Sequence, residues 1–227
     1  MNELFGRRHG DPDRRGDESA PGELAPSPYP AGFVKALIAS DHVTAPTRHA
    51  LQSRLHPELD PRCRFFAEND LTILHAICAR LVPQNDLLNP VDIAGFIDRR
   101  LASAAGDGWR YAGMPPDAEA WTTGMSAIEA TSHARFSRSF VALGDEHQDQ
   151  VLGCIQSGDA PSEIWGRIDP ATFFEAMLVW TVEAFYAHPT AQEDIGHAGM
   201  ADGPGWSPIG LDQLSAREPR RREAPVD

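Results

Sequence analysis

The chain predicts an all-α fold, a compact helical bundle around a buried central helix at about 170–187, with disordered tails at both ends. Three observations carry this. Apolar residues recur at spacings of three and four over several stretches, alternation of the kind a strand needs is missing, and the pairs Asn89-Pro90 and Asp169-Pro170 repeat a cap-plus-proline start signal. The central stretch carries Phe173, Phe174, Met177, Leu178, Trp180, Val182, Phe185 and Tyr186, with only Glu175 and Glu183 charged before His188-Pro189. A helix apolar on nearly every side belongs in the interior, so its residues, Phe185 among them, are expected to be core.

Taken in order, residues 1–30 read as a disordered tail of Gly, Pro, Asp, Glu and Arg. Short N-terminal helices follow over 31–64. The first runs from Ala31 to Ser40 with Val34, Leu37 and Ile38 inside, and Thr44-Ala45-Pro46-Thr47 breaks it. The second runs from Arg48 to Leu55 and ends at His56-Pro57, since the residue before proline is driven out of helical geometry. The main domain is expected over 65–211. Its first helix has Leu71, Leu74, Ile77, Cys78 and Leu81 on one face; the next starts at Asn89-Pro90 with Ile93, Phe96, Ile97 and Leu101. A third opens at Pro115-Pro116-Asp117 and buries Trp121, Met125, Ile128 and Phe136. Phe140 and Leu143 anchor a turn, and Asp145 to Gln156 forms a fourth helix closed by Ser157-Gly158. After the central helix, a Gly-rich loop from His188 to Gly210, anchored by Trp206 within Gly203-Pro204-Gly205-Trp206-Ser207-Pro208-Ile209-Gly210, is expected to fold back over the bundle. Residues 212–227 read as a second disordered tail.

Composition narrows the function. At 227 residues the chain holds one substantial core plus tails. A formal net charge of -13 and a pI near 5.0 oppose electrostatic binding to nucleic acid or anionic membranes. No run of about 18 apolar residues exists, so no direct membrane insertion is expected. Arg7-Arg8 and Arg14-Arg15 precede no apolar segment, which gives the cytoplasm as the expected compartment, or the periplasm if a signal lies outside this sequence or on a partner. Cys63, Cys78 and Cys154 form no CxxC pair; Cys78 and Cys154, among apolar helical residues, read as core thiols.

No constellation for catalysis stands out. Glu129 and His133 share a helical face, and His75 and His147 lie on neighbouring helices, so a metal-dependent helical-bundle oxidoreductase is one reading; the Glu-x-x-His pairs of a di-iron bundle are missing from the core helices. There is no Gly-x-Ser-x-Gly and no strand-borne glycine loop for phosphates. Asp98-Arg99-Arg100 could pair with a partner's carboxylates, but a solvated helix face is the role expected first. The residues alone therefore predict no catalytic, cofactor or metal site in this chain.

A collinear series of short motifs is more informative. Phe66, then Leu74-His75-Ala76-Ile77-Cys78-Ala79-Arg80-Leu81-Val82-Pro83-Gln84, Gly95-Phe96-Ile97-Asp98, Tyr111-Ala112-Gly113 and Gly124 resemble the gluconate 2-dehydrogenase subunit 3 family. Phe140 with Leu143, Gln148 with Leu152, Phe173-Phe174, Glu183-Ala184-Phe185-Tyr186-Ala187-His188-Pro189 and Gly205-Trp206 with Ile209-Gly210 continue it in order. The resemblance implies a non-catalytic accessory subunit of a flavin-dependent sugar or alcohol dehydrogenase. In such complexes a large subunit of the glucose-methanol-choline (GMC) type holds FAD, a cytochrome c subunit often takes the electrons, and the small subunit supports folding of the flavoprotein and usually supplies a twin-arginine signal. This chain shows no such signal, and Thr190-Ala191-Gln192-Glu193 stands where the family often has a Tyr-Gly-Gly-Asn turn. The partner contact is expected at Tyr186, His188, Pro189 and Trp206. The alternative is a cytoplasmic interaction or chaperone-like module with another partner.

Overall fold

The computed structural model describes residues 30–57, 64–84, 90–104, 108, 111–200 and 202–203. Among them are nine α-helices and no strand: α1 (Phe33–Ala39), α2 (Ala45–Leu55), α3 (Glu68–Leu81), α4 (Ile93–Ala102), α5 (Asp117–Phe136), α6 (Asp145–Gln156), α7 (Ser162–Trp165), α8 (Pro170–Tyr186) and α9 (Pro189–Asp194), with a 3-10 turn at Phe140–Ala142. The all-α expectation holds. Both predicted tails, apart from Pro30, lie outside the described residues, as do Cys63 and Trp206.

Helices α3 to α8 close one core. Ile73, Leu74, Ile77, Ile97, Met125, Ile128, Ile155, Trp165, Phe173 and Met177 are fully buried within it. Trp121 sits at its aromatic centre, 5.8 Å from Phe173 and 5.4 Å from Trp180 between ring centroids. The α5–α8 crossing depends on Gly124, because a Cβ there would lie 2.2 Å from Cζ of Phe173. Asp169 caps α8, its carboxylate accepting from the Thr172 N–H at 2.8 Å and from the Thr172 hydroxyl at 2.7 Å. These bonds hold its carboxyl below the usual range, the hydroxyl contributing most.

A second, smaller core joins the two ends of the described chain. Phe33, Val34, Leu37, Ile38, Val43 and Leu51 of the α1–α2 region pack with Met200. Polar clamps reinforce it. Glu193 of α9 accepts from the Gly32 N–H at 2.5 Å and the Val34 N–H at 3.2 Å, capping α1 from across the fold. Asp202 accepts from the Thr44 N–H and from the hydroxyls of Thr44 and Thr47, all at 2.7 Å, which lowers its carboxyl to about 2. Arg48 donates to the carbonyls of Ile38, Ser40 and Val43, tying the α1–α2 connection to α2.

Several expectations change. Thr44-Ala45-Pro46-Thr47 starts α2 rather than only breaking α1: Thr44 is its N-cap and proline stands in its first turn, where no intrahelical N–H is needed. Helix α4 starts at Ile93 with Asp92 as its cap, the carboxylate accepting from the Gly95 N–H at 2.9 Å; Asn89 lies outside the described residues. Asp98 is not on a solvated face. It is 3% exposed and accepts from the Phe65 and Phe66 N–H groups at 3.1 and 2.8 Å, pinning the entry to α3. Pro189 opens α9 instead of a loop, and α9 packs on α1 and α2 as well as on the end of α8.

The largest correction concerns α8. Its bounds agree with the expected central helix, but it is buried on one side only. Phe173, Phe174, Met177, Thr181 and Ala184 face the core, Phe185 is half-buried, and Val182 and Tyr186 are exposed. The sequence contains apolar residues on both faces, whereas neighbouring helices cover just one.

Candidate functional site at the outer face of α8

Positions 175, 179, 182 and 186 follow one another at helical spacing and stand on the side of α8 opposite Phe173 and Met177. Val179 is 47% exposed, Val182 37% and Tyr186 45%. A helix facing water ordinarily carries polar residues at such positions, so three apolar side chains in line make this face the candidate contact surface. Two carboxylates flank it. Glu183 pairs with Arg100 at 2.7 Å, and the Arg100 guanidinium also lies 4.1 Å above the Trp180 ring. Glu175 bonds the Tyr111 hydroxyl, raising the phenol above its usual range.

An open groove of about 740 Å³ adjoins the C-terminal end of α8. Leu55 at the end of α2, Val91 and Phe96 from the α4 region, and Ala184 and Ala187 give it an apolar lining, with Arg54, Arg99 and Arg100 around it. His188 stands at one end. Its Nδ1 accepts from the Thr190 N–H at 3.2 Å and so caps α9, and burial, with a smaller effect from the Arg54 charge, pushes its pKa below the ordinary value.

The expected contact residues thus separate. Tyr186 is on the exposed stripe, His188 lines the groove, and Pro189 is buried where α9 begins. Trp206 lies outside the described residues. Sequence reasoning missed Val179 and Arg54, and it named Arg99 and Arg100 only as one reading of a helix face. The only signal for Val179 was its seat among core-like neighbours, and the arginines gain meaning from elements far apart in sequence.

The metal candidates are not assembled. Glu129 accepts from the Phe140 N–H at 3.0 Å and lies 3.3 Å from Nε2 of His133, holding the 3-10 turn against α5. The His147 ring packs on Phe136 with centroids 4.5 Å apart, and His75 is exposed elsewhere. Among the described residues no group of three or more His, Cys, Asp or Glu comes together in a way that could hold a metal ion. Cys78 and Cys154 are buried free thiols, as expected, and burial raises the Cys78 thiol to about 12, far from a reactive thiolate.

No helix among the described residues is long and apolar enough to cross a membrane. No curated protein and no solved structure matches the chain significantly. A sequence profile for gluconate 2-dehydrogenase subunit 3 does match, over residues 68–212, which covers more than half of the chain and takes in all of α3 to α9. The chain therefore belongs to the gluconate 2-dehydrogenase subunit 3 family, whose members are subunits of an oxidoreductase complex.

Proposed function

We infer that this chain is a non-catalytic accessory subunit that binds and supports a GMC-type flavoprotein dehydrogenase of sugars or alcohols. The observation that carries this reading is the uncovered apolar face of α8, at Val179, Val182 and Tyr186, on a chain of a dehydrogenase-subunit family. Such a face costs free energy in water and is stabilised when a partner removes it from solvent, at about 25 cal/mol per Å² of apolar area. Its central position on α8 gives it rigidity, since the opposite side of the same helix is locked into the core. In this reading FAD is held by the partner, a cytochrome c subunit accepts its electrons, and the present chain supplies a docking surface.

Co-expression with a GMC-type flavoprotein dehydrogenase from the same genome, with an affinity tag on this chain, tests the assignment. The expected result is a co-purifying flavin-bearing subunit whose soluble yield or flavin content falls when this chain is left out. A dehydrogenase that is fully loaded and active alone, and absent from the tagged eluate, overturns it.

A further inference from the structure

The groove beside α8 has a charge character opposite to that of the protein as a whole. The chain carries a net charge of -13, yet the guanidiniums of Arg54, Arg99 and Arg100 converge on one apolar lining. Their internal partners differ in kind. Arg80, between α3 and α6, is clamped by Asp145 and Asp149 at 2.6 Å each. Arg100 is matched by Glu183. Arg99 reaches Asp92 only at 3.5 Å, and Asp92 already caps α4 through its other oxygen. Arg54 donates to the Ala187 carbonyl at 3.2 Å, and no carboxylate among the described residues pairs with it. Two guanidiniums at the groove are thus left with capacity for an incoming carboxylate, the geometry that arginine serves best because its fork can donate two parallel bonds.

We propose that this groove binds an extended segment of the partner dehydrogenase subunit that places a carboxylate next to a large apolar side chain. The carboxylate sits between Arg54 and Arg99, and the apolar side chain lies against Leu55, Phe96 and Ala187. A volume of about 740 Å³ is ample for this, within the 300–1,000 Å³ of sites that bury small ligands. A peptide from the docked partner fits better than a free small anion for a reason of position. Arg100 lines the groove and pairs with Glu183, which stands one turn from Val179 on α8, so a protein covering the α8 stripe borders the groove without a gap. The inference rests on the accessory-subunit reading and adds to it a second, electrostatic contact that selects the partner. Contacts of this kind set specificity and association rate more than total affinity.

The test measures capture of the flavoprotein dehydrogenase by wild-type chain, by R54E/R99E and by S103W. Ser103 is an exposed residue of the groove, so a tryptophan there obstructs it without entering the core. Both variants are expected to melt close to wild type and to bind at least about 10-fold more weakly, and R54E/R99E should lose most of the salt dependence that wild-type binding shows. Variants that fold and bind like wild type overturn the groove assignment while leaving the accessory role standing. Failure of the wild-type chain to bind any flavoprotein overturns both. A wild-type homodimer that R54E/R99E dissolves, or decanoate binding that leaves dehydrogenase capture unaffected, assigns the groove to another occupant and also overturns the proposal.

Discussion

At the residue scale, buried polar groups with fixed partners decide more than their number suggests. Asp98 is the strongest case. Removing its carboxylate leaves the N–H groups of Phe65 and Phe66 without acceptors where the chain enters α3, so D98A should cost about 2–4 kcal/mol in chemical denaturation. A loss under about 0.5 kcal/mol would show that these amides find other acceptors. Gly124 makes the complementary case for packing. A methyl group there meets the Phe173 ring at 2.2 Å, and Phe173 is only 1% exposed with no room to turn, so G124A should destabilise by about 1–3 kcal/mol. An unchanged melting temperature would mean that α5 and α8 can move apart freely. Neither role could be read from the sequence. Asp98 stands beside two arginines and looks like a surface charge, and a glycine inside a helix does not announce which ring lies opposite.

At the element scale, the helices with simple amphipathic patterns were legible and the special ones were not. Helices α3, α5 and α6 fall where their apolar spacing places them, because a stripe of one width buried on one side leaves little choice. Helix α8 defeats the same reasoning, since an apolar outer face can signify full burial or an absent partner and the pattern is identical. The start of α9 was hidden because Pro189 reads as a stop as easily as a first-turn residue; the deciding feature is the His188 side chain bonded to the Thr190 N–H. That cap makes α9 sensitive to pH. Burial holds the folded-state pKa of His188 below its ordinary 6.5, so the unfolded chain takes up the proton first as pH falls. Its contribution is therefore complete above about pH 6.5 and is lost as pH drops through the folded value. Amide exchange over residues 190–195 should accelerate more between pH 7.5 and 5.5 than the intrinsic rate explains. H188N keeps a capping side chain without the titration and should remove the excess. An equal excess in H188N would place the sensitivity elsewhere.

At the scale of the whole molecule, two cores share one scaffold. The family match begins at α3, whereas the smaller core draws on α1 and α2 before it and on Met200 near the match's far end. The groove lies where these parts meet, with Arg54 from one side and Arg99 from the other. Sequence order separates those residues, which is why the site was only half visible: Tyr186 and His188 could be named from the motif around them and Arg99 as a possible partner for a carboxylate, but Arg54 and Val179 could not.

A subunit interface on the outer face of α8 has a direct consequence for flavin recovery. The most direct measurement is the amount of flavin absorbance recovered with tagged wild-type chain and with V179D/V182D after co-expression with the dehydrogenase subunit. Both positions are exposed, so the variant should retain the wild-type helical content and melting temperature. The variant should lose at least about nine-tenths of the recovered flavin, as expected when two carboxylates are forced into an apolar contact. Recovery equal to wild type from a folded variant would contradict it.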